Sequence, residues 1–345
     1  MFFIYAMRRV WCSKCGVVVE RVPWAEGKEH LTKTYQWFLA RWAKRMSWKE
    51  VAEAFSTTWE HVFFSVGMAV RWGLKHRVLE GIKAIGVDEV QYQRGHRYLT
   101  VVYQIDQGCK RLLWIGKERT AKTLLKFFRW LGPQRSALLE FICSDMWQPY
   151  LRVIARKAKQ ALNVLDRYHI AAIMNKAIDK VRAKEAKELR DKGYEPVLKH
   201  TRWCLLKRPE NLTDKQDIKL RDLVRYNLKS VRAYLLKEDF HLHFWDYVKP
   251  AWAERFLQRW CTKVMRSRLE PMKYVARSLR KHAPLIMNWF KARGRISLGA
   301  VEGLNNKEKV ITRRSYGFRI FEVLEIALYH AMGELPEPEF THRFC

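Results

Sequence analysis

"IGVDEVQYQRGHRYLTVVYQID", residues 85–106, has the clearest strand pattern in the chain and indicates its fold class. It holds two apolar or alternating runs, and the Arg94-Gly95 pair between them is typical of a turn, so it predicts two antiparallel strands. The first run delivers two adjacent carboxylates, Asp88 and Glu89. Because side chains alternate faces along a strand, both acids cannot point into one site. The pair therefore raises the question of which acid carries the function.

Three more apolar runs complete the pattern of a domain. They are "KRLLWIGK" (110–117), "ALLEFICSD" (137–145) and "ALNVLDRY" (161–168). Helical patterns at about residues 120–131 and 148–159 separate the last three runs. The order β-β-β-α-β-α-β predicts an α/β RNase H-like domain, a mixed five-stranded sheet with flanking helices that begins with an antiparallel meander.

The bulk composition favours a nucleic-acid partner. Lys and Arg total 66 against 35 Asp and Glu, a formal net charge of +31, which predicts a polyanion, nucleic acid before acidic membrane. An apolar content of 48% excludes a disordered chain, and 345 residues predict two or three units. No apolar run approaches the roughly 20 residues that span a bilayer, and "MFFIYAMRRV" lacks the charge order of a signal peptide. We therefore expect a cytoplasmic protein without a membrane segment, in which the seven scattered Cys are reduced.

Residues 47–76, "SWKEVAEAFSTTWEHVFFSVGMAVRWGLKH", have the pattern of two helices joined by a tight turn. Ser47 and Glu50 form a capping box at the first helix, and Thr57 and Glu60 repeat that spacing at the second.

With an earlier helix at about residues 35–45, this pattern predicts a DNA-binding helix-turn-helix, and the alternative is an ordinary helical hairpin. The candidate residues of this motif are Thr58, His61 and Ser65. Of these, we expect His61 and Ser65 to face outward, together with Arg71.

The N-terminal "VWCSKCGVVVERV", residues 10–22, predicts a CxxC turn between two short strands. A CxxC knuckle supplies half of a zinc ribbon, because zinc needs four ligands, and the chain contains no second CxxC. We interpret Cys12 and Cys15 as a possible remnant zinc knuckle whose partner lay upstream of Met1, and we expect no bound Zn²⁺.

The chain after His169 shows helical patterns and many charges, without strand-like alternation. We expect an all-helical insertion whose charged faces are solvated, with a subset along DNA phosphates. A last region then predicts a helix, a Tyr316-Gly317-Phe318 corner and a final amphipathic helix. The predicted units are a ribbon remnant (1–29), a helix-turn-helix domain (30–80), an RNase H-like domain (81–169 and 293–335), the insertion (170–292) and a tail (336–345).

Three acids occur in settings that suit metal ligands. Asp88 lies in the first strand, Asp145 ends the fourth, and Glu302 begins the helix of "GAVEGLNNK". The first and fourth strands of an RNase H-like sheet are neighbours, so Asp88 and Asp145 would meet, and a helix packed on the sheet can add a third carboxylate. Such a cluster suits two Mg²⁺ or Mn²⁺ ions, which can activate a water or a 3′-hydroxyl for attack on a phosphodiester.

Other interpretations of these acids stay open at this point. Asp145 can instead cap the following helix, and a glutamate in a first helical turn is favoured by the helix dipole alone. Glu89 and Asp166 are rival ligands. Asp166 and His169 can also support the site, contact DNA or form a catalytic pair.

Three blocks, "IGVDEVQYQRGHRYLTVVYQID", "CSDMWQPYLRVIARKAKQALNVLDRYHI" and "GAVEGLNNKEKVITRRSYGFRIFE", resemble the DDE transposases of the ISL-three family of bacterial insertion sequences. The resemblance covers nearly the whole chain, although the ribbon's first CxxC is absent. It implies a metal-binding triad of Asp88, Asp145 and Glu302. It also matches the family's Asp-Arg-aromatic-His block to residues 166–169. Candidates for supporting the site or contacting DNA are Asp166, Arg167, His169, Asn305, Asn306, Arg313 and Arg314.

The resemblance implies a metal-dependent transposase that cuts at terminal inverted repeats and joins the ends to target DNA. Since such an enzyme holds two ends at once, we expect at least a homodimer. One alternative is a decayed, non-catalytic DNA-binding protein of a mobile element. Another is a related nuclease or resolvase acting on branched DNA.

Overall fold

The structure is a computed structural model that describes residues 4–25, 30–93, 95, 97–292, 299–315 and 317–339. The strands in these residues are β1 Arg9–Cys12, β2 Gly16–Val19, β3 Ala84–Gln93, β4 Arg97–Asp106, β5 Cys109–Lys117, β6 Phe141–Ser144 and β7 Leu162–Leu165. The first helices are α1 Lys33–Trp42, α2 Trp48–Ala54, α3 Trp59–His76, α4 Ala121–Leu131, α5 Pro133–Ala137, α6 Gln148–Lys157 and α7 Arg167–Asp191. The later ones are α8 Arg202–Leu206, α9 Asp214–Val224, α10 Lys229–His243, α11 Pro250–Met265, α12 Glu270–Ala292, α13 Gly299–Arg314 and α14 Phe321–Met332. Two short 3₁₀ helices, Pro209–Asn211 and Phe244–Asp246, flank α9 and α10.

The central sheet has the strand order β5-β4-β3-β6-β7. β3, β4 and β5 form an antiparallel meander, whereas β6 runs parallel to β3 and to β7. The two-residue turn at Gln107-Gly108 lies where the sequence predicts it. The mixed five-stranded sheet with flanking helices is therefore confirmed.

Each face of the sheet is covered by a different set of helices. Ile85 and Val87 of β3 pack with α4 and α6 in one core, and Ala84 and Val90 pack with α3, α13 and α14 in another. The alternation of side chains along β3 thus assigns even-numbered residues to the α13 face and odd-numbered residues to the α4/α6 face. This division decides the surroundings of Asp88 and Glu89.

The N-terminal helices α1, α2 and α3 share their apolar core with the sheet. The capping box predicted for α2 is present, with Ser47 and Glu50 exchanging hydrogen bonds. The cap of α3 is Thr58, whose hydroxyl accepts from the His61 amide, so the prediction of Thr57 as the cap is wrong by one residue. The Thr57 hydroxyl instead forms a hydrogen bond of 3.0 Å with Nδ1 of the His61 ring.

The region between β7 and residue 292 contains helices and no strand, and all its residues are described. Its core gathers α7, α10, α11 and α12 around aromatic rings such as Phe240 and Trp260. Helix α12 lies against β7, where the Asn288 side chain donates to the Asn163 carbonyl at 2.8 Å. This contact fixes the helical region to the sheet.

The described structure begins with a two-stranded hairpin and ends with a segment that packs on the N-terminal helices. The CxxC segment is a hairpin of β1 and β2, as predicted, with free thiols at Cys12 and Cys15. Backbone hydrogen bonds from Lys14 and Cys15 lower the pKa of the Cys12 thiol. The segment after α14 lies on the N-terminal helices, because Glu337 pairs with Arg41 and Lys44, both at 2.8 Å.

Helices α13 and α14 lie where the sequence predicts helices. Of the predicted corner between them, Gly317 has a positive φ of 89° and Tyr316 lies outside the described residues. None of the helices in the described part of the chain is both long and apolar enough to span a bilayer.

Candidate active site

Three acids lie at one edge of three adjacent parallel strands. Asp145 and Asp166 follow the ends of β6 and β7, and Asp88 lies within β3, just past the residues that pair with β6. Gly86 pairs with Cys143 in the register of β3 and β6, and Asp88 and Asp145 each follow two residues later. Asp166 follows the end of β7, and its amide donates to the Ser144 carbonyl at 3.0 Å. Ligand sites in open α/β sheets form at this edge, so the topology gathers negative charge where a site is expected.

Asp88 faces helix α13. Its carboxylate accepts a hydrogen bond from the Glu89 amide at 2.7 Å and another from the Asn305 side-chain amide. The Tyr103 hydroxyl donates to the Asn305 oxygen at 3.0 Å and so orients that amide. Burial raises the pKa of Asp88, and the nearby Asp145 carboxylate adds to the rise. Asp88 is therefore held in place but lacks a full counter-charge.

Helix α13 reaches the sheet through a very close approach. A Cβ at Gly86 would lie only 2.3 Å from Cγ2 of Val301, so the helix sits where a side chain would otherwise be. Glu302 is the next residue and is exposed, and Asn305 lies one helical turn further along the same face. The charge of Glu302 raises the pKa of Asp166, so the tail helix adds its carboxylate to the same edge.

Asp145 lies between the two faces of the sheet. One carboxylate oxygen accepts from the Trp147 amide at 2.9 Å, and the other lies 3.5 Å from Nη2 of Arg119. The charge of Asp145 raises the pKa of both Asp88 and Glu89. The charge of Asp145 thus affects the pKa of both acids of β3.

Glu89 points to the opposite face from Asp88 and forms an ion pair with Nε of Arg119. The opposite orientation of the two acids follows from the alternation of side chains along β3. Burial, reinforced by Asp145, raises the pKa of Glu89 to about 8 in spite of Arg119. The Arg119 guanidinium also lies over the Trp147 ring, 4.6 Å from its centroid. Arg119 is therefore the cation that the protein itself places beside the acidic cluster.

Asp166 caps helix α7, because its carboxylate accepts from the Tyr168 amide at 2.9 Å. Nε2 of His169 lies 4.0 Å from the Asp166 carboxylate. Burial raises the pKa of Asp166, as do the charges of Asp88 and Glu302, whereas His169 opposes the rise. Asp166 and His169 thus belong to the same charged neighbourhood as Asp88.

The cluster fits a hard divalent cation by the chemistry of its donors. Carboxylate oxygens of the Asp and Glu type are the ligands that Mg²⁺ and Mn²⁺ prefer, and burial leaves Asp88 and Asp166 short of positive charge. Within the residues that the structure describes, no three His, Cys, Asp or Glu side chains lie close enough to hold one ion. A bound cation would therefore draw these side chains closer together.

Comparison with known proteins decides the family. Residues 85–328 match the family described as transposase, the DDE type of ISL-three insertion sequences. The chain belongs to this family. It is 30% identical over 315 residues to the transposase for insertion sequence element IS1001 of Bordetella parapertussis, an alignment that covers 90% of this chain and 76% of that protein. It is 29% identical over 354 aligned positions to the transposase for IS1557 of Mycobacterium tuberculosis, covering 95% and 78%. The predicted resemblance is confirmed.

Other residues singled out in the transposase sequence lie in varied places. Asn305 contacts Asp88, whereas Asn306 and Arg313 are exposed on α13. Arg314 turns away from the acids, donates to the Arg45 carbonyl and lies 3.7 Å from Glu50. It links α13 to the N-terminal helices.

Two further residues have structural surroundings that the sequence did not predict. The Arg167 guanidinium lies 5.2 Å from the ring centroids of both Trp245 and Trp289, so it packs against the helical region. Ser65 is fully buried and donates to the His61 carbonyl at 2.6 Å, so the expectation that it faces outward is wrong. Its hydroxyl satisfies a helix carbonyl instead.

Sequence reasoning did not identify Arg119 and Trp147 in this transposase. Arg119 follows β5 in an unremarkable polar segment, and only the fold carries it to Glu89 and Asp145. Only its position, two residues after the predicted ligand Asp145, could have indicated that Trp147 lies near the site. Neither residue has a spacing that a motif could detect.

Proposed function

We propose that this transposase cleaves DNA at the terminal inverted repeats of its insertion sequence and joins the ends to target DNA. Asp88, Asp145 and Glu302 would hold two Mg²⁺ or Mn²⁺ ions. When bound, such ions activate a water or a 3′-hydroxyl and stabilise the leaving oxygen of a phosphodiester. The observation that carries the proposal is that Asp88, Asp145 and Asp166 lie at the same edge of the sheet as the helix that bears Glu302, in a strongly basic chain.

The residues around these acids have roles that follow from their contacts. Asn305 fixes the orientation of Asp88, and Tyr103 fixes Asn305. The Trp147 amide holds one oxygen of Asp145 and leaves the other directed toward Arg119. Asp166 supplies a further oxygen donor at the same edge, and His169 beside it can hold or donate a proton toward a bound phosphate.

The partners follow from the same proposal. DNA at the element's ends would be contacted by the N-terminal helices α2 and α3, with Thr58 and His61 at the start of α3. Holding two ends together requires at least two copies of the chain, so we propose a homodimer or larger assembly during transposition.

Substitution of the acids tests the proposal. We expect Asp88→Asn, Asp145→Asn and Glu302→Gln each to lower cleavage of end-bearing DNA in Mg²⁺ or Mn²⁺. The loss should exceed the roughly 10- to 100-fold typical of residues that only support a ligand. Binding of the same DNA should change little, because phosphate contacts come from Lys and Arg. The measurement is a gel assay of cleavage beside an anisotropy assay of binding.

Two controls make the result specific. Glu322→Gln on α14 removes an exposed carboxylate that pairs only loosely with Lys117, at 3.4 Å, and should cleave like the wild type. Glu89→Gln tests the rival ligand directly. Loss of cleavage in Glu89→Gln with full activity in Asp88→Asn would overturn the assignment. Wild-type protein that binds the ends but never cuts them would instead support the non-catalytic DNA-binding alternative.

A further inference from the structure

The hairpin of α11 and α12 concentrates positive charge in one part of the helical region. Residues 250–292 contain ten Lys and Arg against two Glu, an excess of eight positive charges. Both glutamates lie near the ends of the hairpin, and Glu270 pairs with Lys273 at 2.7 Å. The two glutamates of the hairpin can therefore balance only a small part of its positive charge.

One face of α11 presents this charge as a stripe. Arg255, Arg259, Lys263 and Arg266 follow one another at intervals of three or four residues, and all are exposed. The opposite face is buried and packs into the core of the helical region. An open groove of about 470 Å³ lies along the stripe and is lined by Gln258, Arg259, Thr262, Lys263 and Arg266.

The groove has two cations without an internal partner. Arg259 and Arg266 form no ion pair with any described residue, whereas Lys263 lies 3.1 Å from Asp239. Arg280 of α12 donates to the Thr262 hydroxyl at 3.0 Å, so one more guanidinium lies at the edge of the groove. Unpaired guanidinium groups beside hydroxyl and amide side chains are the donor set that phosphate oxygens prefer.

The spacing of the stripe suits a nucleic-acid backbone. Arg259 and Arg266 are seven residues apart, which corresponds to about 10 Å along a helix. Successive phosphates of one DNA strand advance by about 3.4 Å along the duplex axis, so the stripe can follow about three of them. The five side chains that line the groove are all polar or charged, so none of them is an aromatic ring on which a base could stack.

The hairpin is also joined to the acidic cluster. Gln148, three residues after Asp145, shares a hydrogen bond of 2.7 Å with the ring of His282 on α12. The Asn288 contact to Asn163 fixes the same helix to β7. DNA lying on α11 would therefore be held in a constant relation to the carboxylates.

We infer that the exposed face of α11, with Arg280 at its edge, binds the phosphate backbone of duplex DNA without reading its base sequence. The inference rests on the proposed function, because it takes DNA as the substrate of the site. The duplex is held there through about three phosphates.

The test compares two triple variants with the same change in charge. Arg259→Gln, Lys263→Gln and Arg266→Gln together remove the stripe. The matched control combines Lys184→Gln, Lys187→Gln and Arg190→Gln, three exposed cations on the last turns of α7. Binding is measured by fluorescence anisotropy over a range of KCl concentrations, with one duplex that carries the element's end and one of unrelated sequence.

We expect the α11 variant to bind both duplexes at least about tenfold more weakly at moderate salt. The slope of log affinity against log salt should fall by about 3, since each lost phosphate contact removes about 1. The control should keep the wild-type affinity and slope, and circular dichroism should show that both variants fold.

Several results would overturn the inference. Unchanged affinity of the α11 variant, or an equal loss in the α7 control, would show that overall charge rather than this surface binds DNA. A loss confined to the end-bearing duplex would mean that the surface reads bases. If the wild-type protein binds phosphatidylserine vesicles as tightly as DNA, and only the α11 variant fails to bind them, the surface is a membrane-binding surface instead. Wild-type protein that binds no DNA would refute the proposed function itself, which separates the two failures.

Discussion

Asp88 and Glu89 are neighbours in sequence with different surroundings in space. Asp88 faces α13 and is held by Asn305, whereas Glu89 faces the α4/α6 side and pairs with Arg119. Alternation along the strand predicts this separation, and Asp88 is the acid that faces the helix carrying Glu302. Arg119 links the second acid to Asp145, so the site contains a resident cation next to its carboxylates.

Above about pH 8, where Glu89 is ionised, Arg119→Gln should destabilise the cation-free protein by about 1–2 kcal/mol. The change leaves the buried Glu89 carboxylate unpaired, and the cost is below that of a fully buried pair because Arg119 is 34% exposed. Addition of MgCl₂ should recover part of the loss, because a bound cation would neutralise the same carboxylates. Thermal unfolding with and without MgCl₂ measures both effects.

The matched control is Arg135→Gln, which removes an exposed pair with Glu80 at 3.4 Å. Its effect should be close to zero, as for most surface pairs. Equal losses in the two variants, both insensitive to MgCl₂, would contradict the role of Arg119.

At the scale of elements, the contact between β3 and α13 decides whether Glu302 reaches the site. That contact depends on Gly86, since any larger residue would meet Val301. Asn305 then completes the attachment by bonding Asp88. One glycine therefore determines how closely the last carboxylate approaches the sheet.

Gly86→Ala should cost about 1–3 kcal/mol of stability, the usual range for overpacking, because its Cβ would lie 2.3 Å from Val301. It should also reduce cleavage, since α13 must shift and carry Glu302 away. Urea unfolding and the cleavage assay measure the two effects. Gly303→Ala is the control: no atom lies within 4 Å of its Cβ, so it should gain up to about 1 kcal/mol from helix propensity. If Gly86→Ala is as stable and active as the wild type, the close approach has no such role.

At the scale of the whole molecule, the N-terminal helices and the central sheet share one apolar core. Residues of α1, α3, β4, α13 and α14 contribute to a single apolar core. The segment after α14 adds ion pairs from Glu337 to α1, and Leu335 packs against Gly73 of α3. The helices proposed to contact DNA are therefore coupled rigidly to the site.

His330 lies within this junction and should make the fold sensitive to acid. It is 8% exposed, and burial lowers its pKa to about 4, with Lys44 lowering it further and Glu337 opposing. In the unfolded chain, the His330 ring binds a proton near pH 6.5. The free energy of unfolding is therefore unaffected by His330 above that pH and decreases as the pH falls toward 4. The loss amounts to about 3 kcal/mol.

His330→Gln should remove this dependence. The difference in unfolding free energy between wild type and variant, measured in urea at several pH values, should therefore change by about 3 kcal/mol between pH 7 and pH 4. Other titrating groups contribute equally to both proteins and cancel. A difference that stays constant with pH would show that His330 takes up its proton in the folded state.

The local sequence predicted most of the fold because its signals act over a few residues. Strand periodicity in residues 85–106, the capping box at Ser47 and the turn at Gln107-Gly108 each depend on neighbours within about four positions. The acids at strand ends were predicted in the same way. Thr57 and Thr58 show the limit of such signals, since both fit the pattern and only one caps the helix.

Local sequence patterns and the family resemblance were thus enough to predict the sheet, the helices, the family and the three acids that the site is proposed to use. Three arrangements became visible only in the folded chain: Arg119 lies beside Glu89 and Asp145, Ser65 is buried, and Arg314 binds the N-terminal helices. The folded chain also shows that the unpaired cations of α11 share one exposed groove. The reason is physical: these arrangements join residues far apart in the chain, and only packing of the whole core brings them together.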